Sequence, residues 1–146
     1  MAVGALVGGQ APRRDHARVV RLLQQLLLRL VEDMTLRALV VDDDPISLRL
    51  LTRIFQKRGW SVEACATGDA ALRVLEQSAF DILVTDHQMP EMTGLALVRH
   101  AKDVSPAMPC IVVSGCPRDP DAGAARWLNK PVDVTALFGV LDELSL

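Results

Sequence analysis

Four short apolar runs in this chain each stop at a polar side chain. Runs of this length with no polar alternation are typical of strands buried on both faces, as in parallel sheets. The runs and their ends are 39–41 before Asp42-Asp43-Asp44, 82–85 before Asp86, 110–113 before Ser114, and 126–129 before Lys130-Pro131. Parallel sheets bind ligands beyond the carboxyl ends of their strands. We therefore expect one pocket with carboxylates, a hydroxyl and an ammonium, a set that suits a divalent cation and a phosphoryl group.

The composition narrows the class of protein. The chain has 146 residues, half of them hydrophobic, which is enough for one domain with a core. The net charge of −2 gives no general attraction to nucleic acid or anionic membranes. No apolar stretch reaches the roughly 18 residues of a membrane span. We expect a cytoplasmic protein with no membrane span and no nucleic-acid partner.

The three cysteines are consistent with a cytoplasmic protein. Cys65, Cys110 and Cys116 form an odd set without CxxC pairs, which argues against a disulfide framework or a zinc site. Cys110 lies within an apolar run and is most simply a small core residue. A reduced cytosol is consistent with this pattern.

The sequence divides into two parts, residues 1–33 and residues 34–146. Residues 1–12 have no periodic pattern and predict a loose tail, whereas 14–33 predict an amphipathic helix with apolar residues at spacings of three and four. The apolar face of that helix must pack against this domain, a second copy as a homodimer, or another partner. Two alternatives stay open: Met34 as the true start, leaving 1–33 as upstream read-through, or an Arg-rich helix bound to a surface.

From Met34 onward, strand patterns alternate with helix patterns, which predicts an α/β sandwich around a five-stranded parallel sheet. Asp44-Pro45 is a helix cap followed by proline at the first helical position, and Gly59 ends that helix. The predicted strands are 36–41, 61–65, 80–85, 109–113 and 126–129, and the predicted helices are 45–58, 69–77, 94–102 and 133–144.

Together these motifs resemble the receiver domain of two-component response regulators. The resemblance runs from about Leu36 to Leu146 and includes every signature position in order. The motifs are Val40-Val41-Asp42-Asp43-Asp44-Pro45, the segment from Asp81 through Asp86 and Met89-Pro90 to Gly94, Val113-Ser114-Gly115, and Asn129-Lys130-Pro131. The family implies a doubly wound, flavodoxin-like sheet with strand order 2-1-3-4-5.

The resemblance assigns a role to each polar stop. Asp86 is the implied phosphoacceptor, since a carboxylate can attack phosphorus to form an acyl phosphate. Asp43 is implied as a direct Mg²⁺ ligand, Asp42 as a ligand through water, and the Gln88 backbone carbonyl as a further ligand. Lys130 is implied to pair with the phosphoryl oxygens as a point charge.

Other positions are implied to report the phosphorylated state. Ser114 would donate its hydroxyl to the phosphoryl group, and Trp127 occupies the aromatic switch position, with ordinary packing as its alternative role. Gln88 and Cys116 lie where the family tunes acyl phosphate lifetime, which predicts a moderately long-lived phosphoryl group. The bond before Pro131 is expected to be cis.

The connection between the fourth and fifth strands departs from the family. Only ten residues, 116–125, cross between these strands, and Pro117, Pro120 and Gly123 oppose a helix. We expect the family's fourth helix to be missing or reduced to one turn. The surface that reports phosphorylation in the family must therefore differ here.

The leading hypothesis is a stand-alone receiver that accepts a phosphoryl group from a sensor histidine kinase or histidine phosphotransfer protein, and signals by contact with an effector protein. A phosphorylation-independent scaffold with the receiver fold is the alternative. Asp42-x-Asp44 with Ser114 and Lys130 also resembles Mg²⁺-dependent haloacid dehalogenase-type phosphatases, but Asp86 would then be unexplained. The three histidines show no ligand spacing, and His87 is expected to point outward without a role.

Overall fold

The computed structural model describes residues 13–146, with side chains from residue 15 onward. The predicted loose tail at 1–12 lies outside these residues. The chain divides into two units, one ending at Thr35 and the other spanning Leu36–Leu146. The first contains helix α1 (Arg13–Met34), with Asp15 in its first turn. The Thr35 hydroxyl donates to the Val31 carbonyl at 2.7 Å, which satisfies one carbonyl at the end of α1.

The second unit alternates strands and helices from end to end. Its elements, in chain order, are β1 (Arg37–Val41), α2 (Pro45–Lys57), β2 (Ser61–Cys65), α3 (Gly68–Gln77), β3 (Ile82–Asp86), α4 (Gly94–Val104), β4 (Cys110–Ser114), β5 (Arg126–Asn129) and α5 (Val134–Glu143). Every helix and strand predicted from the sequence is present, and each end lies within two residues of its predicted position.

The five strands form one parallel sheet in the order β2-β1-β3-β4-β5. The register aligns Val41 with Thr85 and Asp86 with Val113, so the polar residues at the carboxyl ends of β1, β3 and β4 meet at one edge. The predicted strand order 2-1-3-4-5 is confirmed.

Alternation along the central strands divides the core between the two faces of the sheet. In β1, Leu39 and Val41 pack with the side of α3 and α4, whereas Ala38 and Val40 pack with the side of α2 and α5. These four of the five β1 side chains are fully buried. A strand buried on both faces has no polar alternation, which is why these strands read as continuous apolar runs.

The connection from β4 to β5 contains no α-helix. A single 3₁₀ turn, Pro120–Ala122, is its only regular structure, and Asp119 caps that turn. Arg118 holds the loop together by donating to the Ala125 carbonyl at 2.9 Å and to the Gly123 carbonyl at 2.8 Å. The predicted loss of the fourth helix is confirmed, and its cause is the short, proline-containing connection.

Among residues 13–146, no helix is long and apolar enough to cross a membrane.

Candidate functional site

The carboxyl ends of four strands bring the predicted site residues together. Asp42 directly follows β1, Asp86 ends β3, Ser114 ends β4 and Lys130 directly follows β5. The backbone N–H of Lys130 donates to the Ser114 carbonyl at 2.8 Å, so the last two strands stay paired up to the site. Topology therefore makes neighbours of residues up to 88 positions apart.

Three carboxylates converge at this edge. Asp42, Asp43 and Asp86 each offer an oxygen, and these atoms all lie within 4.8 Å of one another. Asp42 is fully buried and Asp86 is 6% exposed, whereas Asp43 faces solvent. Clustered negative charges repel one another, so this arrangement favours a cation among them.

Lys130 supplies the positive charge in this pocket. Its Nζ lies 3.0 Å from Asp42 Oδ2 and 3.3 Å from Asp86 Oδ1. Burial lowers the pKa of Lys130, but its hydrogen bonds and charge interactions with Asp42 and Asp86 outweigh burial, and the pKa is raised overall. Lys130 therefore stays protonated at neutral pH, with its charge beside the Asp42 and Asp86 carboxylates.

Keeping the buried Asp42 carboxylate ionised costs free energy. Burial raises its pKa above the usual value, and the nearby Asp86 charge acts in the same direction. The Asp44 N–H, which donates to Asp42 Oδ1 at 2.9 Å, and the Lys130 ammonium offset part of this effect. A divalent cation would lower the free energy of the ionised Asp42 carboxylate. Carboxylate oxygens are ligands that Mg²⁺ prefers. The donor set thus fits Mg²⁺.

Asp44 serves the helix rather than the pocket. Its carboxylate accepts from the N–H groups of Ile46 and Ser47 at the start of α2, and from the Ser47 hydroxyl at 2.8 Å. The Ser47 hydrogen bonds lower the pKa of Asp44. The predicted cap is confirmed, and it fixes the turn that carries Asp42 and Asp43.

The two predicted switch residues both bond to the backbone of Cys116. The buried Ser114 hydroxyl oxygen accepts from the Cys116 N–H at 3.1 Å. The Trp127 indole Nε1 donates to the Cys116 carbonyl at 3.1 Å. One peptide segment therefore links the residue expected to sense the phosphoryl group to the aromatic ring expected to move. Sequence reasoning missed this link because backbone partners leave no residue-type signal.

His87 corrects a prediction made from the sequence. It is not directed into solvent: its side chain is half buried, and its ring lies 5.1 Å from that of Trp127, centroid to centroid, at an interplanar angle of 58°. Its Nδ1 is buried without a hydrogen-bond partner. His87 also contacts Asp86 through its backbone, since its N–H donates to Asp86 Oδ1 at 2.9 Å.

The remaining predicted residues lie at the mouth of the site. The exposed Gln88 follows His87, and its side-chain amide donates to Cys116 Sγ at 2.9 Å. This contact joins the loop after β3 to the loop after β4. The Lys130-Pro131 bond is cis, as predicted. The metal-ligand role of the Gln88 carbonyl stays a prediction.

Comparison with known proteins identifies this architecture. The model of the response regulator receiver domain matches residues 38–142. The chain belongs to the response regulator receiver family. The receiver is 30% identical to the response regulator receiver protein CpdR of Brucella abortus, over 74% of this chain and 95% of CpdR. It is 38% identical to the Escherichia coli transcriptional regulatory protein GlrR over 72% of this chain.

Solved structures support the same assignment. A CheY-like receiver domain from Methanospirillum hungatei matches with a TM-score of 0.70 and 30% identity, covering 75% of this chain and 93% of that one.

The match to GlrR spans only 25% of GlrR, so most of that transcriptional regulatory protein lies outside the aligned region. Receiver domains of this family act in two-component phosphoryl transfer with histidine kinases or phosphotransfer proteins.

Proposed function

We propose that this receiver takes a phosphoryl group onto Asp86 from a phosphohistidine of a sensor kinase or phosphotransfer protein, and signals by protein contact. The observation that carries the proposal is the placement of the Asp86 carboxylate. It lies beside the Lys130 ammonium and within 4.8 Å of the Asp42 and Asp43 oxygens. This arrangement surrounds one nucleophile with the groups that phosphoryl transfer requires.

The reaction follows from that geometry. An Asp86 carboxylate oxygen attacks phosphorus while the bond between phosphorus and the donor's imidazole nitrogen breaks, and the imidazole retains the bonding electron pair. Lys130 balances charge on the phosphoryl oxygens, and Ser114 donates its hydroxyl to them. Asp42, Asp43 and Asp86 would hold Mg²⁺, together with the Gln88 carbonyl. Bound Mg²⁺ supplies charge stabilisation for the transferring phosphoryl group.

The signal would then pass through the Cys116 segment. If the Ser114 hydroxyl turns to the phosphoryl group, it gives up its bond from the Cys116 N–H. The Cys116 carbonyl also holds Trp127. A change at Ser114 therefore acts on the loop 116–125 and the indole ring together. We propose that this loop and Trp127 form the contact surface for the effector.

Two further points complete the proposal. The receiver would act in the cytoplasm, where its three free thiols stay reduced. It would catalyse only its own phosphorylation and dephosphorylation, rather than turn over an external substrate. A phosphatase with Asp42 as nucleophile is disfavoured because that carboxylate is fully buried and bonded to Lys130 and Asp44. A phosphorylation-independent scaffold is the remaining alternative.

Intact mass spectrometry tests the proposal directly. The chain is incubated with Mg²⁺ and acetyl phosphate beside an Asp86→Asn variant and an Asp42→Asn variant. We expect one phosphoryl group on the parent and none on Asp86→Asn. Peptide mapping after borohydride reduction should locate the modification at Asp86. Label on Asp42 would favour the phosphatase, and no label on any chain would favour the scaffold.

A further inference from the structure

His87 contacts both the proposed phosphoacceptor and the aromatic residue of the proposed switch. Its backbone N–H donates to Asp86 Oδ1 at 2.9 Å, and its ring lies 5.1 Å from the Trp127 ring, centroid to centroid. His87 directly follows β3 and Trp127 lies in β5, with β4 between these two strands in the sheet. One residue therefore joins the Asp86 carboxylate to the indole without passing through the peptide segment 114–116.

The indole of Trp127 is held by two groups. Its Nε1 donates to the Cys116 carbonyl at 3.1 Å, and the His87 ring contacts it at a tilt of 58° and at a separation within the range of about 4.5–7 Å that aromatic pairs prefer. The Cys116 N–H in turn donates to the Ser114 hydroxyl oxygen. The His87 contact thus belongs to the arrangement in which Ser114 is bonded to Cys116, which is the arrangement that phosphorylation is proposed to break.

The hydrogen bond from the His87 N–H depends on the charge of the Asp86 carboxylate. Asp86 Oδ1, which accepts this bond, also lies 3.3 Å from Lys130 Nζ. A hydrogen bond to an ionised acceptor is roughly twice as strong as one between neutral groups. When the carboxylate becomes an acyl phosphate, the negative charge lies on the phosphoryl oxygens and no longer on the carboxyl group. We therefore expect phosphorylation of Asp86 to displace the His87 peptide and the ring that it carries.

The surroundings of the His87 ring permit that displacement. Its Nδ1 is buried with no hydrogen-bond partner among the described residues, which costs a free energy of the same order as an aromatic contact contributes. The His87 and Trp127 rings both border a cavity of about 340 Å³ that Thr93 and Pro117 also line. The ring pair is therefore only weakly favoured over arrangements in which the imidazole moves into this cavity and Nδ1 bonds to water.

We propose that His87 is a positioning residue for Trp127: its ring restrains the indole, and displacement of the His87 peptide on phosphorylation of Asp86 releases it. This inference rests on the proposed phosphorylation of Asp86 and adds a second route by which that event reaches Trp127. A contact that stabilises the arrangement before phosphorylation opposes phosphorylation by the same free energy. Removal of the His87 ring should therefore favour the phosphorylated form.

Beryllofluoride, a mimic of the phosphoryl group, tests this linkage at equilibrium. Its dissociation constant in saturating Mg²⁺ is measured by fluorine NMR of the bound fluoride. His87→Ala removes the ring contact and should lower the dissociation constant about three- to ten-fold, the change that corresponds to one aromatic pair. His87→Phe retains the ring contact and should stay within about two-fold of the parent. His100→Ala is the matched control, since it removes an exposed histidine of α4 and should leave the constant unchanged.

A double-mutant cycle shows whether His87 acts through Trp127. Trp127→Ala removes the partner ring, so His87→Ala should have no further effect on the dissociation constant in that background. A role of His87 in stability alone would instead lower the free energy of unfolding in urea and leave the beryllofluoride constants of the parent and His87→Ala equal.

Two results would overturn this proposal while phosphorylation of Asp86 stands. One is equal beryllofluoride constants for the parent and His87→Ala. The other is an effect of His87→Ala that is the same with and without the Trp127 ring. A parent that binds no beryllofluoride and takes no phosphoryl group from acetyl phosphate would overturn the proposed function as well.

Discussion

The substitution Gly94→Ala tests how closely the acceptor strand is packed. A Cβ added at Gly94 would lie 2.2 Å from the Asp86 carbonyl oxygen and 2.9 Å from both the Asp86 carbonyl carbon and His87 Cα. Ordinary contacts of such an atom begin near 3.4 Å, so the oxygen contact is too short by 1.2 Å. Every atom in the way is backbone, which cannot rotate aside.

The cost follows from that geometry. Overpacking usually costs about 1–3 kcal/mol, and a clash with rigid backbone belongs at the upper end of that range. We expect Gly94→Ala to lose about 2–3 kcal/mol of unfolding free energy, or about 10 °C in Tm for a domain of this size. The same displacement moves the acceptor peptide, so the phosphorylation rate at Asp86 should fall by roughly 10- to 100-fold.

Gly68→Ala is the matched control. Gly68 also begins a helix, α3, and a Cβ there would lie 2.6 Å from Met92 Sδ, the far end of a flexible side chain. Since Met92 can change rotamer, this variant should lose less than about 1 kcal/mol. Urea unfolding of both variants, with equal m-values, gives the comparison. If Gly94→Ala were as stable as Gly68→Ala, the backbone contact would not constrain the acceptor as argued.

Three further predictions concern the site. Asp42→Asn should raise Tm in Mg²⁺-free buffer at pH 7, because burial raises the pKa of Asp42 and so makes the ionised carboxylate unfavourable. This gain in Tm should shrink as the pH falls toward the raised pKa, and Mg²⁺ should stabilise the parent more than the variant. Trp127→Phe removes the indole donor to Cys116 and should cost about 1 kcal/mol in urea unfolding, whereas an unchanged stability would show that this bond contributes nothing. A thiol reagent at pH 8 should modify Cys116 alone in the folded chain, because burial raises the pKa of Cys110 to about 11 and also that of Cys65; equal labelling of all three would contradict the burial pattern.

The fold and the chemical groups at the site could be predicted from the sequence for a topological reason. The carboxyl ends of parallel strands meet at one edge, so a polar residue after each buried run predicts neighbours that are distant in sequence. Asp42 and Lys130, 88 positions apart, are joined by a 3.0 Å hydrogen bond at that edge. The central strands β1, β3 and β4 were recognisable because both faces of the sheet are covered there, and polar residues end each run. The prediction that 126–129 is also buried on both faces was wrong, because β5 is an edge strand with Arg126 and Asn129 exposed.

The orientation of individual side chains was not predictable in the same way. The position of His87 depends on Trp127, which reaches it from a strand 40 residues away, and no periodicity encodes that contact. The bond from the Cys116 N–H to Ser114 depends on backbone direction after β4. Hydrogen bonds to backbone groups constrain a side chain without constraining the identity of the partner residue, so the sequence holds no record of them.

The missing fourth helix changes what a phosphoryl group can act upon. A helix in this connection would spread a displacement at Ser114 over several turns of packed surface. Here the loop 116–125 has one 3₁₀ turn, and Arg118 ties its far end to the Gly123 and Ala125 carbonyls. We therefore expect movement of Cys116 to be largest at the near end of the loop, where the indole of Trp127 is attached. In the proposed mechanism the signal is local: a partner would detect phosphorylation through Trp127 and the first residues of this loop.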